Sequence, residues 1–248
     1  MRYIFAPFRF IYKLYFAIVF AISLLIFAPI FLFAVQFDNG FRYGFTWRKI
    51  WSKFLEIVCL VPVIVKGKEN FPDSGPYIVV ANHASYLDIM LLYSIVPHHF
   101  RFLGKAEILG WPILKNVFSK MDFAVERGSR VQAFRSLEKC GEALRSGDSI
   151  IIFPEGGWDP KKKGMQRFKN GAFKLAIANQ VPIVPLSFQN NKFLFCDHTD
   201  LFFNGRPGIS KTVVHSMVQT TNMTVEDLVP LREQIFETIN SALPDEYC

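Results

Sequence analysis

The sequence predicts an α/β fold, a mostly parallel central sheet flanked by helices, with an N-terminal membrane-embedded helical pair in front of it. Three observations lead there. From residue 62 onward, short apolar runs alternate with stretches of helical period, the pattern of a parallel sheet with crossover helices. Several of those runs end abruptly in polar residues with Gly or Pro, as strands do where an open sheet carries its chemistry. The first 61 residues have a different character, being apolar, aromatic and basic. The boundaries expected are therefore a membrane-binding helical unit over 1–61 and an α/β domain over 62–248.

In chain order, Arg2, Arg9 and Lys13 lie among aromatics, and residues 14–37 then run without a charge until Asp38. That length can cross a bilayer. It is longer than the apolar core of a signal peptide, and no small-residue cleavage site follows. Two readings stand: a simple span, or a helix that enters and turns back, since Pro29 interrupts the run and Asp38-Asn39-Gly40 makes a turn. Residues 46–61 form an amphipathic pattern, with Trp47, Ile50, Trp51, Phe54, Leu55 and Val58 on one side and Arg48, Lys49, Lys53 and Glu56 largely on the other. That describes a helix lying in a headgroup layer, with a core helix of the following domain as the alternative.

After Pro62 the expected strands are 63–65, 77–80, 100–103, 122–125, 149–153, 183–188 and 212–218. Residues 108–118 are a short helical or looped segment containing Pro112. A helix over 129–145 should bury Val131, Phe134, Leu137, Gly141 and Leu144 and stop at Gly147. Another covers 168–179. The last runs over 225–243, with Thr224 as N-cap and Asp227 three residues on.

Composition agrees with contact between this chain and lipid. Its 248 residues include 27 Phe, and the mean hydropathy is +0.22. The formal charge of +7 suits an anionic membrane or an acidic substrate. No zinc-finger spacing or RNA-binding aromatic signature is present. The four cysteines lack disulfide or metal spacing, which fits a reducing compartment.

The stretch that carries most chemistry is Asn82-His83-Ala84-Ser85-Tyr86-Leu87-Asp88, where a buried strand gives way to a helix. A histidine is easily poised as a base near neutral pH, and a nearby carboxylate fixes its tautomer and stabilises the imidazolium. No G-x-S-x-G elbow surrounds a serine, so the nucleophile to be activated is a hydroxyl of the substrate. The same residues also read as a capping box, Ser85 with Asp88, that only starts a helix. Val125-Glu126-Arg127-Gly128 ends another strand; Arg127 can bind a phosphate bidentately or pair with Glu126 or Asp122 at the surface. Phe153-Pro154-Glu155-Gly156-Gly157 ends a third, and Glu155 there can bind the polar end of a substrate or hold the loop through backbone N–H groups. Lys161, Lys162 and Lys163 form a basic loop facing lipid, an acidic acyl carrier or simply solvent, with Arg167 and Lys169 just beyond. Val181-Pro182-Ile183-Val184-Pro185 suits an edge strand or the wall of an apolar groove, with plain core packing the alternative.

Taken together, these four stretches resemble the motifs of the 1-acylglycerol-3-phosphate acyltransferase family, the PlsC-type glycerolipid acyltransferases. Asn82-His83 through Asp88 matches the family's N-H-x4-D motif, and the blocks at 125–128, 153–156 and 181–185 match its second, third and fourth in order and separation. The resemblance implies a glycerolphosphate-acyltransferase-like fold and transfer of an acyl group from acyl carrier protein or coenzyme A to the sn-2 hydroxyl of lysophosphatidic acid, giving phosphatidic acid in phospholipid biosynthesis. It implies His83 as general base, Asp88 as its orienting partner, and Arg127, Glu155 and Gly156 at the glycerol phosphate. Lys105, in Gly104-Lys105-Ala106-Glu107, matches the family's basic residue after the third strand, Phe168-Lys169-Asn170-Gly171 its F-K-x-G segment, and Pro185 an acyl-groove or structural position. No metal or cofactor is implied, and the site belongs on the cytoplasmic face of the inner membrane. One departure stands out. Many members continue the third block as Gly-Thr-Arg-Ser, whereas this chain has Gly156-Gly157-Trp158-Asp159. Arg167 or a lysine of 161–163 can supply the missing charge, or the acceptor is another lysolipid, such as a lyso-aminolipid or a lysophospholipid in remodelling. A lipid-binding protein without turnover is the more distant alternative.

Overall fold

The computed structural model describes residues 6–37, 40–105, 121–125, 130–157, 164–196 and 204–247, without the side chains of Lys105, Ala124, Val125, Arg130 and Glu246. In chain order the elements are α1 (Ala6–Ala34), α2 (Gly40–Val58), β1 (Val63–Lys66), β2 (Ile78–Ala81), α3 (Tyr86–Ile95), β3 (Phe100–Lys105), β4 (Phe123–Val125), α4 (Arg130–Arg145), β5 (Ser149–Ile152), α5 (Gly171–Asn179), β6 (Ile183–Phe188), α6 (Asn191–Leu194), β7 (Ser210–Val214) and α7 (Leu228–Asn240). The strands form one sheet in the order β1-β7-β6-β2-β5-β3-β4. Strands β6, β2, β5, β3 and β4 are all parallel, whereas β7 runs antiparallel to β6 and parallel to β1.

Parallel strands buried on both faces read as unbroken apolar runs. Strands β2, β5 and β6 meet that description, with every residue buried. On one face Val79, Ala81, Ile151 and Val184 pack beneath Leu55 of α2 and Leu87, Leu91 and Leu92 of α3. On the other, Ile78, Val80, Ile150 and Ile183 meet Cys140 and Leu144 of α4, Phe173 of α5 and Ile235 of α7. Because five strands point the same way, their C-terminal residues, Ala81, Ile152, Phe188, Lys105 and Val125, lie along one edge of the sheet.

Helix α1 continues through Pro29, and the chain reverses before α2. The two helices lie antiparallel: Tyr12 and Tyr15 donate their hydroxyls to the carbonyls of Cys59 and Val58, both at 2.7 Å. Trp51 packs on Phe20 and Phe31 and donates its indole N–H to Ser23 Oγ at 2.9 Å. Helix α1 is long and apolar enough to cross a membrane.

The faces of α2 differ from the expectation. Arg48, Ser52 and Glu56 are buried, while Trp47, Ile50, Phe54 and Ile57 are exposed. The inward polar groups face specific partners. Arg48 Nη1 donates to Asp122 Oδ2 at 2.8 Å and to the Tyr93 hydroxyl at 2.7 Å, Ser52 donates to the Met90 carbonyl at 2.6 Å, and Glu56 accepts from Val63 N at 3.2 Å. Helix α2 thus turns Arg48, Ser52 and Glu56 inward beside Phe45 and Leu55, and presents Trp47, Ile50, Phe54 and Ile57 to its surroundings. The expected buried face of α4 also needs correction. Val131 and Phe134 are exposed, because the arc meeting the sheet runs through Ser136, Cys140, Ala143 and Leu144 and leaves residue 131 on the opposite side.

Smaller differences occur at element ends. Strand β7 starts at Ser210 and stops at Val214, with Val218 returning as a single bridge to Ile183. The last helix opens with a 3₁₀ turn, Val225–Asp227, on the expected Thr224–Asp227 capping box. The segment 108–118 lies outside the described residues.

Removing Asp122 strands Arg48 in a buried site and frees the N–H of Phe102, which Asp122 Oδ1 accepts at 2.9 Å. Asp122→Ala should lower unfolding stability by about 3–5 kcal/mol. The apolar pair Arg48→Met with Asp122→Leu should recover most of that loss, measured by urea unfolding of the detergent-solubilised protein.

Candidate active site

Strand β2 ends at Ala81, and the next residue fastens it. Buried Asn82 donates its amide to the Phe188 carbonyl at 3.0 Å and to the Tyr247 hydroxyl at 2.9 Å, and accepts from Phe188 N at 2.8 Å. The ends of β2 and β6 and the C-terminal turn are thereby tied together. Ser85 then caps α3, its Oγ accepting from Leu87 N at 3.1 Å. Asp88 Oδ2 completes the capping box by accepting from Ser85 N and Ala84 N, each at 2.9 Å.

The same oxygen meets His83 Nδ1 at 3.0 Å. Capping and His/Asp pairing are therefore one arrangement and not alternatives. A carboxylate only accepts, so Nδ1 carries the hydrogen and the lone pair of the neutral ring lies on Nε2. Asp88 is fully buried, while the His83 side chain keeps 23% exposure. The Phe153 ring stacks on the imidazole with centroids 4.1 Å apart and an interplanar angle of 20°. A tautomer-fixed histidine at an open edge can accept a proton from a bound hydroxyl.

Strand β5 lies beside β2 with Ile152 opposite Val80, so its outgoing loop reaches the histidine. Glu155 is 8% exposed. Its Oε1 accepts from His83 N at 2.8 Å and its Oε2 from Gln166 N at 2.7 Å. Both oxygens are engaged by backbone, which matches the loop-holding role. Burial pushes its carboxyl up to about 7, against the two backbone donors that favour the charged form. Lys169 N donates to the Pro154 carbonyl at 2.8 Å, laying 166–169 alongside 154–156. Gly156 has φ +69°, a left-handed conformation that favours glycine, and the flexible end of Lys169 lies against it. The Lys169 and Arg167 side chains are exposed at this edge.

Lys105 is the last residue of β3, at the same edge, but its side chain lies outside the described residues, as do Arg127 and the whole of 158–163. Pro185 corrects the edge-strand expectation. It is buried within β6, opposite Val80 of β2, with β7 on its other side. Proline is tolerated there because the ladder to β7 covers only Leu186–Phe188 and resumes at Ile183, leaving Pro185 to accept from His215 N at 2.9 Å. Two residues of the site escape a reading by local motif. Asn191 donates to Asp88 Oδ1 at 2.7 Å, and Tyr247 reaches Asn82. The paired asparagines two and three residues after β6, at the sheet edge that holds His83, are an available signal for Asn191; nothing local marks Tyr247. Among the described residues no group of three His, Cys, Asp or Glu side chains is placed to hold a metal. Burial pushes the Cys140 thiol up to about 12.

From pH 4.5 to about 7 the unfolded chain has released the Glu155 proton while the folded chain keeps it, so this group makes the fold less stable as pH rises across that window. In Glu155→Gln that contribution should vanish, seen as a flatter plot of urea midpoint against pH. Glu155→Ala should cost about 1–3 kcal/mol for each backbone donor it strands and should loosen the His83 loop, seen as faster hydrogen exchange at His83 N.

Comparison with known proteins agrees with this geometry. The profile of the family described as Acyltransferase matches residues 62–189, more than half of the chain. The chain is 30% identical over 178 residues to 1-acyl-sn-glycerol-3-phosphate acyltransferase alpha of Ovis aries, covering 71% of this chain and 60% of that protein. The Homo sapiens protein of the same name is also 30% identical, with 71% and 61% covered. The chloroplastic 1-acyl-sn-glycerol-3-phosphate acyltransferase LPAT1 of Arabidopsis thaliana is 33% identical over 141 residues, 56% of this chain and 39% of that one. The matched region thus spans about 60% or less of these relatives. The crystal structure of PlsC, the 1-acyl-sn-glycerophosphate (LPA) acyltransferase from Thermotoga maritima, superposes with a TM-score of 0.76 over 97% of this chain and 95% of that chain, at 24% identity, a likeness of fold. A mostly parallel sheet with an N-H-x4-D pair at its C-terminal edge, matched by the family profile along the same residues, makes this chain a member of the acyltransferase family.

Proposed function

We propose that the chain transfers a fatty acyl group from acyl carrier protein or coenzyme A to the sn-2 hydroxyl of 1-acylglycerol 3-phosphate, forming phosphatidic acid at the cytoplasmic face of the inner membrane. The observation that carries this reading is the His83 Nδ1–Asp88 Oδ2 contact of 3.0 Å, with the histidine at an accessible sheet edge and its partner buried. In the reaction, the acceptor hydroxyl loses its proton to His83 Nε2 as its oxygen attacks the thioester carbonyl carbon. Collapse of the tetrahedral intermediate expels the thiolate, which recovers the proton from the imidazolium. Asp88 stabilises that imidazolium between the two transfers. No covalent acyl-enzyme is needed, so no protein nucleophile is invoked.

Arg127, Lys105, Arg167 and Lys169 are assigned to the anionic end of the acceptor. Lys105 ends β3, Arg127 follows β4 in the chain, and 166–169 runs beside the Glu155 loop; the net charge of +7 favours an anionic surface. Gly156 is assigned to close approach of the ligand to the loop backbone. The apolar outer faces of α1 and α2, among them Ile18, Ile22, Leu25, Ile26, Trp47 and Phe54, are assigned to lipid, which keeps the site where lysolipids reside. The sheep, human and Arabidopsis relatives are named 1-acyl-sn-glycerol-3-phosphate acyltransferases, which supports the choice of acceptor. One observation favours a second acceptor class: Gly157-Trp158 stands where many family members carry Thr-Arg, so a phosphate-free lysolipid is the competing substrate.

Purified protein in mixed micelles should transfer labelled acyl groups to lysophosphatidic acid, and His83→Ala should lower kcat by about 10²–10⁴-fold while leaving binding to vesicles unchanged. Product with a phosphate-free lysolipid alone would reject the proposed acceptor. Product that persists in His83→Ala would reject the mechanism.

A further inference from the structure

We propose that Asn191, held by Ser210, is a positioning residue for the general base, acting through Asp88. The proposal rests on the reading of His83 as the base of acyl transfer. Asp88 has two carboxylate oxygens with different partners. Oδ2 takes all the local bonds, from Ala84 N, Ser85 N and His83 Nδ1. Oδ1 accepts from Asn191 Nδ2 at 2.7 Å, from a residue 103 positions away in the chain. Asp88 is 0% exposed and Asn191 1%, so neither oxygen has water as a substitute.

The amide orientation follows from chemistry. Asp88 can only accept, so the NH₂ of Asn191 must face it and Oδ1 of Asn191 must face away. That oxygen accepts from Ser210 Oγ at 2.6 Å, and Ser210 is itself fully buried at the start of β7. The result is a directed chain, Ser210 to Asn191 to Asp88 to His83, running from the antiparallel strand to the open edge. Ser210 prevents the amide from flipping, and the amide holds the charge and rotation of the Asp88 carboxylate. Helix capping does not require any of this, because Oδ2 alone meets the N-terminal donors of α3. Any buried carboxylate oxygen needs a partner, and a donor fixed at this place also holds the carboxylate aimed at His83.

Among the described residues, the titratable groups around Asp88 are His83, Glu155 and Tyr247, with the Cys196 thiol beside Tyr247. Lys192 and Lys13 bond the nearby carbonyls of Tyr247 and Cys196, at 2.8 and 3.3 Å. Placing a second carboxylate at 191 would set two acids in hydrogen-bond reach in a buried site, where they would share one proton. While the introduced acid held that proton, it would still donate to Asp88. Once the proton left, repulsion would turn Asp88 away.

The test compares Asn191→Leu, Asn191→Asp and Ser210→Ala in the intact protein, with circular dichroism and vesicle binding as controls for folding. Asn191→Leu should lower kcat by about 10- to 100-fold at every pH with KM for lysophosphatidic acid little changed. Asn191→Asp should keep much of its kcat at low pH and lose it as pH rises, adding an alkaline limb that wild type lacks. Ser210→Ala should fold and show a smaller loss of kcat, which keeps the test decisive if a substitution at 191 unfolds the protein. Wild-type pH profiles in all folded variants, with losses equal to the unfolded fraction, would overturn the proposal. Retained transfer in His83→Ala would instead overturn the reading of the base itself, and the two failures are distinguishable in one assay series.

Discussion

The hydrogen bonding of one buried carboxylate, Asp88, is what the rest of the site depends on. Its Oδ2 closes the first turn of α3 and orients His83, and its Oδ1 is held from across the sheet. An ionised carboxylate without water is tolerated only when its oxygens are fully engaged. Four donors meet that condition, and three come from the loop and helix turn that the carboxylate itself organises. The order β6-β2 in the sheet is what brings the fourth, because the chain leaving β6 passes directly over the end of β2.

The same logic links the N-terminal hairpin to the chemistry. Phe16 of α1 packs on Phe195 with ring centroids 4.5 Å apart, and Lys13 donates to the Cys196 carbonyl. Ser85, the cap of α3, donates to the Phe195 carbonyl. A short path therefore runs from α1 through 195–196 to the loop that carries His83. On the other side, Arg48 of α2 reaches Asp122 beside β4, the strand that leads to Arg127. The hairpin is built into the domain at both flanks of the site. On the proposed reading, its outward apolar faces set how the His83 edge sits against a lipid surface.

Much of this is legible in the sequence, and what is not has a common cause. His83, Asp88 and Glu155 stand out because short motifs sit at strand ends, and a sequence displays local spacing directly. The strands themselves are legible because double-sided burial leaves an unbroken apolar run. The inward face of α2 is not, because the rule that charges face water fails when a partner waits inside; the partner of Arg48 is 74 residues away. Asn191 and Tyr247 escape for the same reason, at separations of 103 and 165 residues from their partners. Pro185 suggests an edge because proline lacks a donor, whereas the ladder beside it has a gap that asks for none. Glu155 keeps two roles open until its two bonds to backbone are visible.

The most direct test of the account is the turnover of Asp88→Asn against its stability. Asparagine keeps nearly the same shape and can still accept the backbone bonds of the cap, but it carries no charge to stabilise an imidazolium. The account predicts a folded protein, less stable by about 1–3 kcal/mol because the new amide NH₂ meets the donor of Asn191, with unchanged vesicle binding, whose kcat for acyl transfer to lysophosphatidic acid falls by about 10³–10⁴-fold, far more than its unfolded fraction explains. A variant that loses activity only in proportion to its loss of folded protein would show that Asp88 is a helix cap and nothing more.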